Sequence, residues 1–104
     1  MKKDLQTLEE RVRDFTKRVF PNASLEGITA KIREEAEELD DSPSDMTEAA
    51  DVMIALASLM VRQGRTLDDL VYAAHLKMDC NERRDWHPAD ARGVHRHVKE
   101  GSHA

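Results

Sequence analysis

Residues 47–63 are apolar around most of their helical circumference, and this segment constrains the fold more than any other part of the chain. A helix whose hydrophobic residues are not confined to one stripe must be covered by other elements on several sides. Its apolar residues are Ala49, Ala50, Val52, Met53, Ile54, Ala55, Leu56, Ala57, Leu59, Met60 and Val61. The sequence therefore predicts a central helix with other helices packed around it.

Two amphipathic helices are predicted before this segment. The first starts at Asp4 and ends before Pro21, and Ser24 is expected to cap the second. The apolar stripe of the first helix is Leu5, Leu8, Val12, Phe15 and Val19. The stripe of the second helix is Leu25, Ile28, Ile32 and Leu39. Residues 40–45, which include Pro43, form a short connection, so the helices on either side of it are expected to pack antiparallel.

A fourth helix is predicted after Gly64, which suits the left-handed position beyond a helix end. Thr66 and Asp69 have the spacing of a capping box, and the helix is expected to run to about Trp86 before Pro88 stops it. No segment shows the alternation of a β-strand together with turn signals. The predicted fold class is therefore all-α, a four-helix bundle.

The composition suggests one small domain that needs help from other subunits. The 104 residues are divided into a helical domain, 1–88, and a polar C-terminal tail, 89–104. Only 39% of residues are hydrophobic, so we expect a thin core and assembly as a homodimer or homotetramer. The net charge of −5 argues against binding to nucleic acid, and no apolar stretch resembles a signal or membrane span. The expected location is the cytoplasm, which is the host cytoplasm if a phage encodes the chain.

Acidic residues occupy positions in the helical pattern where hydrophobic residues are expected. Glu35 lies three residues after Ile32 and four before Leu39, on the apolar stripe of the second helix. Glu48 and Asp51 lie at the start of the central helix. An acidic run is usually a solvated face, but acids on an apolar stripe are expected to be buried. Burying unpaired carboxylates costs several kcal/mol. These positions therefore predict neutralisation by a partner or a cation.

The spacing of the acidic residues predicts a single metal site. Glu35 with Glu38, and Glu48 with Asp51, are three apart and project from one face of their helices, so all four can reach one cleft. Oxygen ligands of this kind favour Mg²⁺ or Mn²⁺ over zinc. A di-iron site is the alternative, but such sites normally contain Glu-x-x-His pairs, and neither acidic pair is followed by histidine at that spacing.

Cationic and amide side chains near this site are candidates for binding phosphate. One face of the fourth helix carries three polar residues spaced four and three apart, which alone is typical of a solvated flank but beside a metal cleft suggests phosphate contacts. These residues are Lys77, Asn81 and Arg84. Lys31 precedes Glu35 by one turn, and it is expected either to reach a phosphate or to pair with Glu34 or Glu35.

The acidic residues together resemble a known signature. Glu34-Glu35-x-x-Glu38 followed by Glu48-x-x-Asp51 resembles the EExxE…ExxD motif of the MazG-like all-α nucleotide pyrophosphohydrolases. Nine residues separate Glu38 from Glu48, fewer than in many members of that family, so this chain departs from the family in the loop and not in the ligand set.

The resemblance extends over residues 25–86. Lys77-x-x-x-Asn81 and Arg84-x-Trp86 are similar to motifs of the small phage branch described as dATP/dGTP diphosphohydrolases. A narrower similarity is to the MazZ branch, from phages that replace adenine by 2-aminoadenine, and this similarity implies guanine nucleotides as substrates.

The resemblance implies hydrolysis of a (deoxy)nucleoside triphosphate to the monophosphate and pyrophosphate, with purines, dGTP or GTP, favoured. It implies that Glu34 helps to activate the attacking water. It also implies two or more Mg²⁺ ions per site, with Mn²⁺ able to substitute, bound by Glu35, Glu38, Glu48 and Asp51. The phosphate chain would be held by Lys77, Asn81 and Arg84, with Lys31 as a further substrate-binding residue.

Two questions stay open at the level of sequence. The competing class of protein is a non-catalytic helical module, in which the acidic residues face solvent or another protein and the central helix drives dimerisation. The walls of a base pocket are also unassigned, because they can come from the first helix, from Asn22 and Ser24, or from a second subunit.

Overall fold

The computed structural model describes residues 4–99, and the secondary structure of this part is helical apart from one isolated β-bridge. The predicted all-α fold is thereby confirmed. Within the described part, no helix is long and apolar enough to cross a membrane. The helices are α1 (Leu5–Val19), α2 (Leu25–Asp41), α3 (Met46–Arg62) and α4 (Leu67–Arg83).

The starts of α2 and α4 follow the capping residues that the sequence predicts. The Ser24 side chain accepts a hydrogen bond from the backbone N–H of Gly27 at 3.0 Å. At α4, the backbone N–H of Thr66 donates to Asp69 and the backbone N–H of Asp69 donates to the Thr66 hydroxyl, so the predicted capping box is confirmed. Gly64 has a φ of +70°, as expected for a left-handed residue after α3.

Two helix ends differ from the prediction. The second helix continues to Asp41, into the predicted connection, because the backbone N–H of Ser42 still reaches the carbonyls of Glu38 and Leu39. The fourth helix ends at Arg83 instead of Trp86. There the carbonyl oxygen of Asn81 accepts hydrogen bonds from the backbone N–H of Arg84 and from the Trp86 indole, and the chain turns away.

The third helix is central, as predicted, because α3 packs against both α1 and α2. Ala57 and Met60 on its inner side form one hydrophobic cluster with Val12 and Leu67. This core is thin, and in the described chain none of the larger side chains is completely buried. Met53 and Ile54 on the same helix remain 43% exposed, so residues 4–99 leave part of the apolar circumference of α3 uncovered.

The chain divides after Val71, within α4, into two compact units. In the second unit, the segment after α4 folds back on itself, which the sequence pattern did not predict. Trp86 and His97 form an antiparallel bridge, and the backbone N–H of His87 donates to the carbonyl of Arg96 at 2.8 Å. The predicted tail, 89–104, begins inside this hairpin, and residues 100–104 lie outside the described part.

Candidate metal centre

The structure brings the four predicted carboxylate ligands together where α2 packs against α3. One carboxylate oxygen from each residue lies within 4.8 Å of the corresponding oxygen of every other. The group contains no histidine, which distinguishes it from the di-iron pattern. Late residues of α2 meet early residues of α3, as in an antiparallel pair. Metal binding by this group stays a prediction. Its members are Glu35, Glu38, Glu48 and Asp51.

Two carboxylate oxygen atoms in this group are buried without a hydrogen-bond partner in the described part of the chain. Glu35 is 7% exposed and Glu48 is partly buried. In the described structure, no hydrogen-bond donor reaches Oε2 of either residue. A buried ionised oxygen without a partner is strongly unfavourable, and a divalent cation between the four carboxylates would satisfy both atoms. The donor set and its burial therefore fit Mg²⁺ or Mn²⁺.

The neighbouring carboxylates affect the pKa of Glu38. A hydrogen bond with Glu35, the negative charge of Glu35 and the charge of Glu48 all raise the pKa of the Glu38 carboxyl. A raised pKa means that, without cations, this carboxyl keeps its proton to a higher pH than an ordinary glutamate does. The negative charges of Glu35 and Glu48 therefore act unfavourably on an ionised Glu38 when no cation lies among them.

Lys31 pairs with the acidic residues of its own helix, one of the two roles predicted for it. Its Nζ lies 3.0 Å from Oε1 of Glu35 and 3.8 Å from Oε2 of Glu34. The hydrogen bond to Glu35 is the largest cause that raises the pKa of Lys31. The side chains of Lys31 and Glu34 are mostly exposed, so both are accessible to a ligand beside the buried Glu35 carboxylate.

The three phosphate-binding residues predicted on the fourth helix belong to the second compact unit. The Arg84 guanidinium donates to the side-chain oxygen of Asn81 at 3.4 Å, and both residues are partly buried. Arg84 lies just beyond the end of α4, so it is not on the helix face where the sequence placed it. Lys77 is exposed on α4, one turn before Asn81. Their role in binding phosphate stays a prediction.

A cavity of about 880 Å³ lies within the first compact unit. Its lining comes from the end of α1, the turn at residues 20–23, α2 and α3. Asn22, which the sequence marked as a possible wall of a base pocket, is among the lining residues. No acidic residue of the described chain lines this cavity, although the protein as a whole is acidic. The cationic lining residues are Arg13, Lys17, Lys31 and Arg62.

This cavity is the feature of the site that the sequence left unassigned. Three of its cations lie at least fourteen positions from Lys31 in the sequence, so no local motif reveals that they share a wall. Lys31 is common to the cavity and to the acidic group, because it lines the first and forms an ion pair with Glu35. A positively charged apolar cavity beside a carboxylate cluster suits an anionic organic ligand together with cations.

Comparison with known proteins agrees with this chemistry. Residues 8–104 match the family of dATP/dGTP pyrophosphohydrolases. The fold is similar to that of a cyanophage S-2L MazG-like pyrophosphohydrolase, solved with dGDP and three catalytic Mn²⁺ ions per active site. The TM-score is 0.75 and the sequence identity is 28%, over 94% of this chain and 100% of the phage chain. No curated protein sequence matches the chain.

Proposed function

The chain belongs to the dATP/dGTP pyrophosphohydrolase family, and from this premise we propose that it hydrolyses purine (deoxy)nucleoside triphosphates, with dGTP or GTP favoured. The products are the nucleoside monophosphate and pyrophosphate. Family membership identifies the chain as a nucleoside triphosphate pyrophosphohydrolase, so a non-catalytic helical module is not supported. The preference for guanine is supported by the similar phage enzyme, which binds dGDP.

The observation that carries this proposal is the carboxylate group with its two unpartnered buried oxygens. Two or more Mg²⁺ ions, with Mn²⁺ able to substitute, would be held by Glu35, Glu38, Glu48 and Asp51. When bound, such ions neutralise phosphate charge and make water more acidic. The similar phage enzyme, with its three Mn²⁺ ions, supports a site for several cations.

Glu34 is suited to accept a proton from the attacking water. It immediately precedes the buried ligand candidate Glu35, yet it is outside the four-carboxylate group and its side chain is 66% exposed. A carboxylate in this position can orient water by accepting a hydrogen bond and then hold the proton that the reaction releases. Oε2 of Glu34 lies 3.8 Å from Nζ of Lys31, so the two exposed side chains project from the same side of α2.

The cavity is proposed to receive the nucleoside end of the substrate. Its volume of about 880 Å³ lies within the range of about 300–1,000 Å³ typical of small-molecule sites. Because Lys31 lines the cavity and also contacts Glu35, a nucleotide in the cavity directs its phosphates toward the carboxylates. Lys31 would then exchange its carboxylate partners for phosphate oxygens. The KxxxN motif supports phosphate contacts for Lys77 and Asn81, and Arg84 completes that set.

The enzyme is proposed to act as a homodimer or homotetramer. Exposed apolar side chains occur in both compact units, including Met53 and Ile54 in the first and Tyr72, 67% exposed, in the second. Large exposed apolar residues on a chain with a thin core are typical of subunit contacts. We place this activity in the cytoplasm, the compartment that holds the nucleotide pool, or in the host cytoplasm for a phage-encoded enzyme.

Product analysis tests the proposed reaction. The purified protein is incubated with each of the eight common ribo- and deoxyribonucleoside triphosphates and Mg²⁺ or Mn²⁺, and monophosphate, pyrophosphate and orthophosphate are quantified. Equal amounts of monophosphate and pyrophosphate are expected, fastest with dGTP or GTP, and Glu48→Gln is expected to lose activity. Release of orthophosphate alone would contradict cleavage at the α-phosphorus.

A further inference from the structure

A long-range hydrogen bond joins the end of α3 to the turn between α1 and α2. Nε of Arg62 donates to the backbone carbonyl oxygen of Ala23 at 2.9 Å, across 39 positions of sequence. Within the turn itself, the backbone N–H of Ala23 donates to the carbonyl of Phe20 at 3.2 Å. The first of these bonds ties the turn to a neighbouring helix, whereas the second only shapes the turn locally.

Both partners of this hydrogen bond belong to the lining of the cavity. Four consecutive residues of the turn, 20–23, line it, and so does Arg62. The turn is exposed apart from Ala23, which is partly buried, so little packing holds it in place. The hydrogen bond from Arg62 therefore ties this part of the cavity wall, at Ala23, to α3.

We propose that Arg62 is a positioning residue for nucleoside recognition, which acts by holding the α1–α2 turn against the end of α3. This inference rests on the proposed function, in which the cavity receives a purine nucleoside. A turn held in place before the ligand arrives does not have to be ordered on binding, and affinity rises accordingly. The four carboxylates lie elsewhere on α2 and α3, so the chemical step does not depend on this contact.

The variants Arg62→Gln and Arg62→Lys test this role, with Arg65→Gln as the matched control. Arg65 is exposed, just beyond α3, and does not line the cavity, so its replacement removes the same charge without touching the turn. Gln shortens the side chain and loses the charged donor, whereas the Lys ammonium keeps a charged donor for the Ala23 carbonyl. Arg62 is itself exposed, so all three variants are expected to fold.

A comparison of dGTP with inorganic tripolyphosphate distinguishes an effect on nucleoside binding from an effect on phosphate binding. For dGTP, Arg62→Gln is expected to raise KM roughly tenfold with kcat unchanged, because the turn must then be ordered when the nucleotide binds. Inhibition by inorganic tripolyphosphate, which has no nucleoside, is expected to stay at the wild-type level. Arg62→Lys should recover part of the loss, and Arg65→Gln should match the wild type.

A calorimetric measurement of dGMP affinity keeps this test independent of turnover. Weaker dGMP binding in Arg62→Gln, with normal binding in Arg65→Gln, supports the positioning role even if the wild type fails to produce monophosphate and pyrophosphate. That failure would overturn the proposed function alone. Wild-type dGMP affinity in Arg62→Gln, or an equal loss of dGMP and tripolyphosphate affinity, would overturn the positioning role while the proposed function stands.

Discussion

Glu9 in α1 accepts a hydrogen bond from the backbone N–H of Leu67 at 2.7 Å, across 58 positions of sequence. Its other carboxylate oxygen receives the guanidinium of Arg13, also at 2.7 Å. Leu67 is the first residue of α4, and the N–H groups of a first helical turn have no partner within their own helix. A negative charge at this end also interacts favourably with the helix dipole. Glu9 therefore fixes the start of α4 to α1.

Replacing Glu9 is expected to destabilise the fold. Glu9→Ala removes a buried acceptor and leaves the Leu67 N–H and Arg13 without it, at a cost of about 1–3 kcal/mol in the free energy of unfolding. Glu9→Gln should cost less, because an amide oxygen still accepts the hydrogen bond from Leu67. Urea denaturation followed by circular dichroism measures both. Glu10→Ala, at the exposed neighbouring position, is the control, and an equal loss there would contradict a specific role for Glu9.

The same carboxylate predicts a dependence of stability on pH. The Leu67 N–H, and then Arg13, lower the pKa of Glu9 below its ordinary value of 4.5. A lowered pKa in the folded state contributes stability that is present above the unfolded value and lost as the pH falls through the folded value. Below about pH 4.5, the wild type should lose stability more steeply than Glu9→Gln. Parallel curves of the melting temperature against pH for the two proteins would contradict this linkage.

Glu9 and Glu35 carry the same signal in the sequence. Glu35 follows Ile32 by three residues, and Glu9 follows Leu5 by four and precedes Val12 by three. Both acids therefore occupy a position on the apolar stripe of their helix. Both are buried. Their partners differ, because Glu9 is satisfied by protein groups and one oxygen of Glu35 is not. The pattern therefore predicts burial of an acid, and only the tertiary contacts show whether a cation is needed.

Other features of the structure were not accessible from local patterns. The four helices and three of their capping signals follow from residue spacing, because helix periodicity and caps are local properties. The hairpin after α4 depends on pairing of Trp86 with His97, and these residues have no alternating apolar pattern between them. Arg62 and Ala23, two residues of the cavity lining, are joined by a hydrogen bond, and their separation in sequence leaves no periodic signal.

Glu38→Ala is expected to abolish turnover and leave the helical fold intact. Glu38 is an exposed member of the carboxylate group, and its pKa is raised by a hydrogen bond with Glu35 and by the negative charges of Glu35 and Glu48. Removing it relieves the repulsion from these charges, so the protein without divalent cations should be as stable as the wild type or more stable. Activity assays and thermal melts in EDTA measure the two effects. Loss of the helical circular-dichroism signal would assign Glu38 a structural role instead.

Divalent cations are expected to stabilise the wild type through the carboxylate group. A cation that binds only the folded state adds about 2.7 kcal/mol to the free energy of unfolding at a hundred times its dissociation constant. Thermal melts across a Mg²⁺ or Mn²⁺ titration measure this stabilisation. Oε2 of Glu48 is buried and has no hydrogen-bond partner among the described residues, so Glu48 is a ligand candidate. The variant Glu48→Gln should show little stabilisation by cations. A wild-type melting temperature that changes with neither Mg²⁺ nor Mn²⁺ would contradict the metal site.

Ile54→Glu is expected to weaken association between subunits without unfolding the chain. Ile54 lies in the central helix yet is 43% exposed, so within one chain a charged side chain there can remain in water. In an assembly, the same side chain would bury an unpaired charge against another subunit, which is strongly unfavourable. Light scattering after size-exclusion chromatography should show a dimer or tetramer for the wild type and a smaller species for the variant. Gln63→Glu, an exposed position at the end of the same helix, adds the same charge as a control and should keep the wild-type mass. A monomeric wild type at micromolar concentration would contradict the proposed assembly and leave the apolar surface of α3 without a partner.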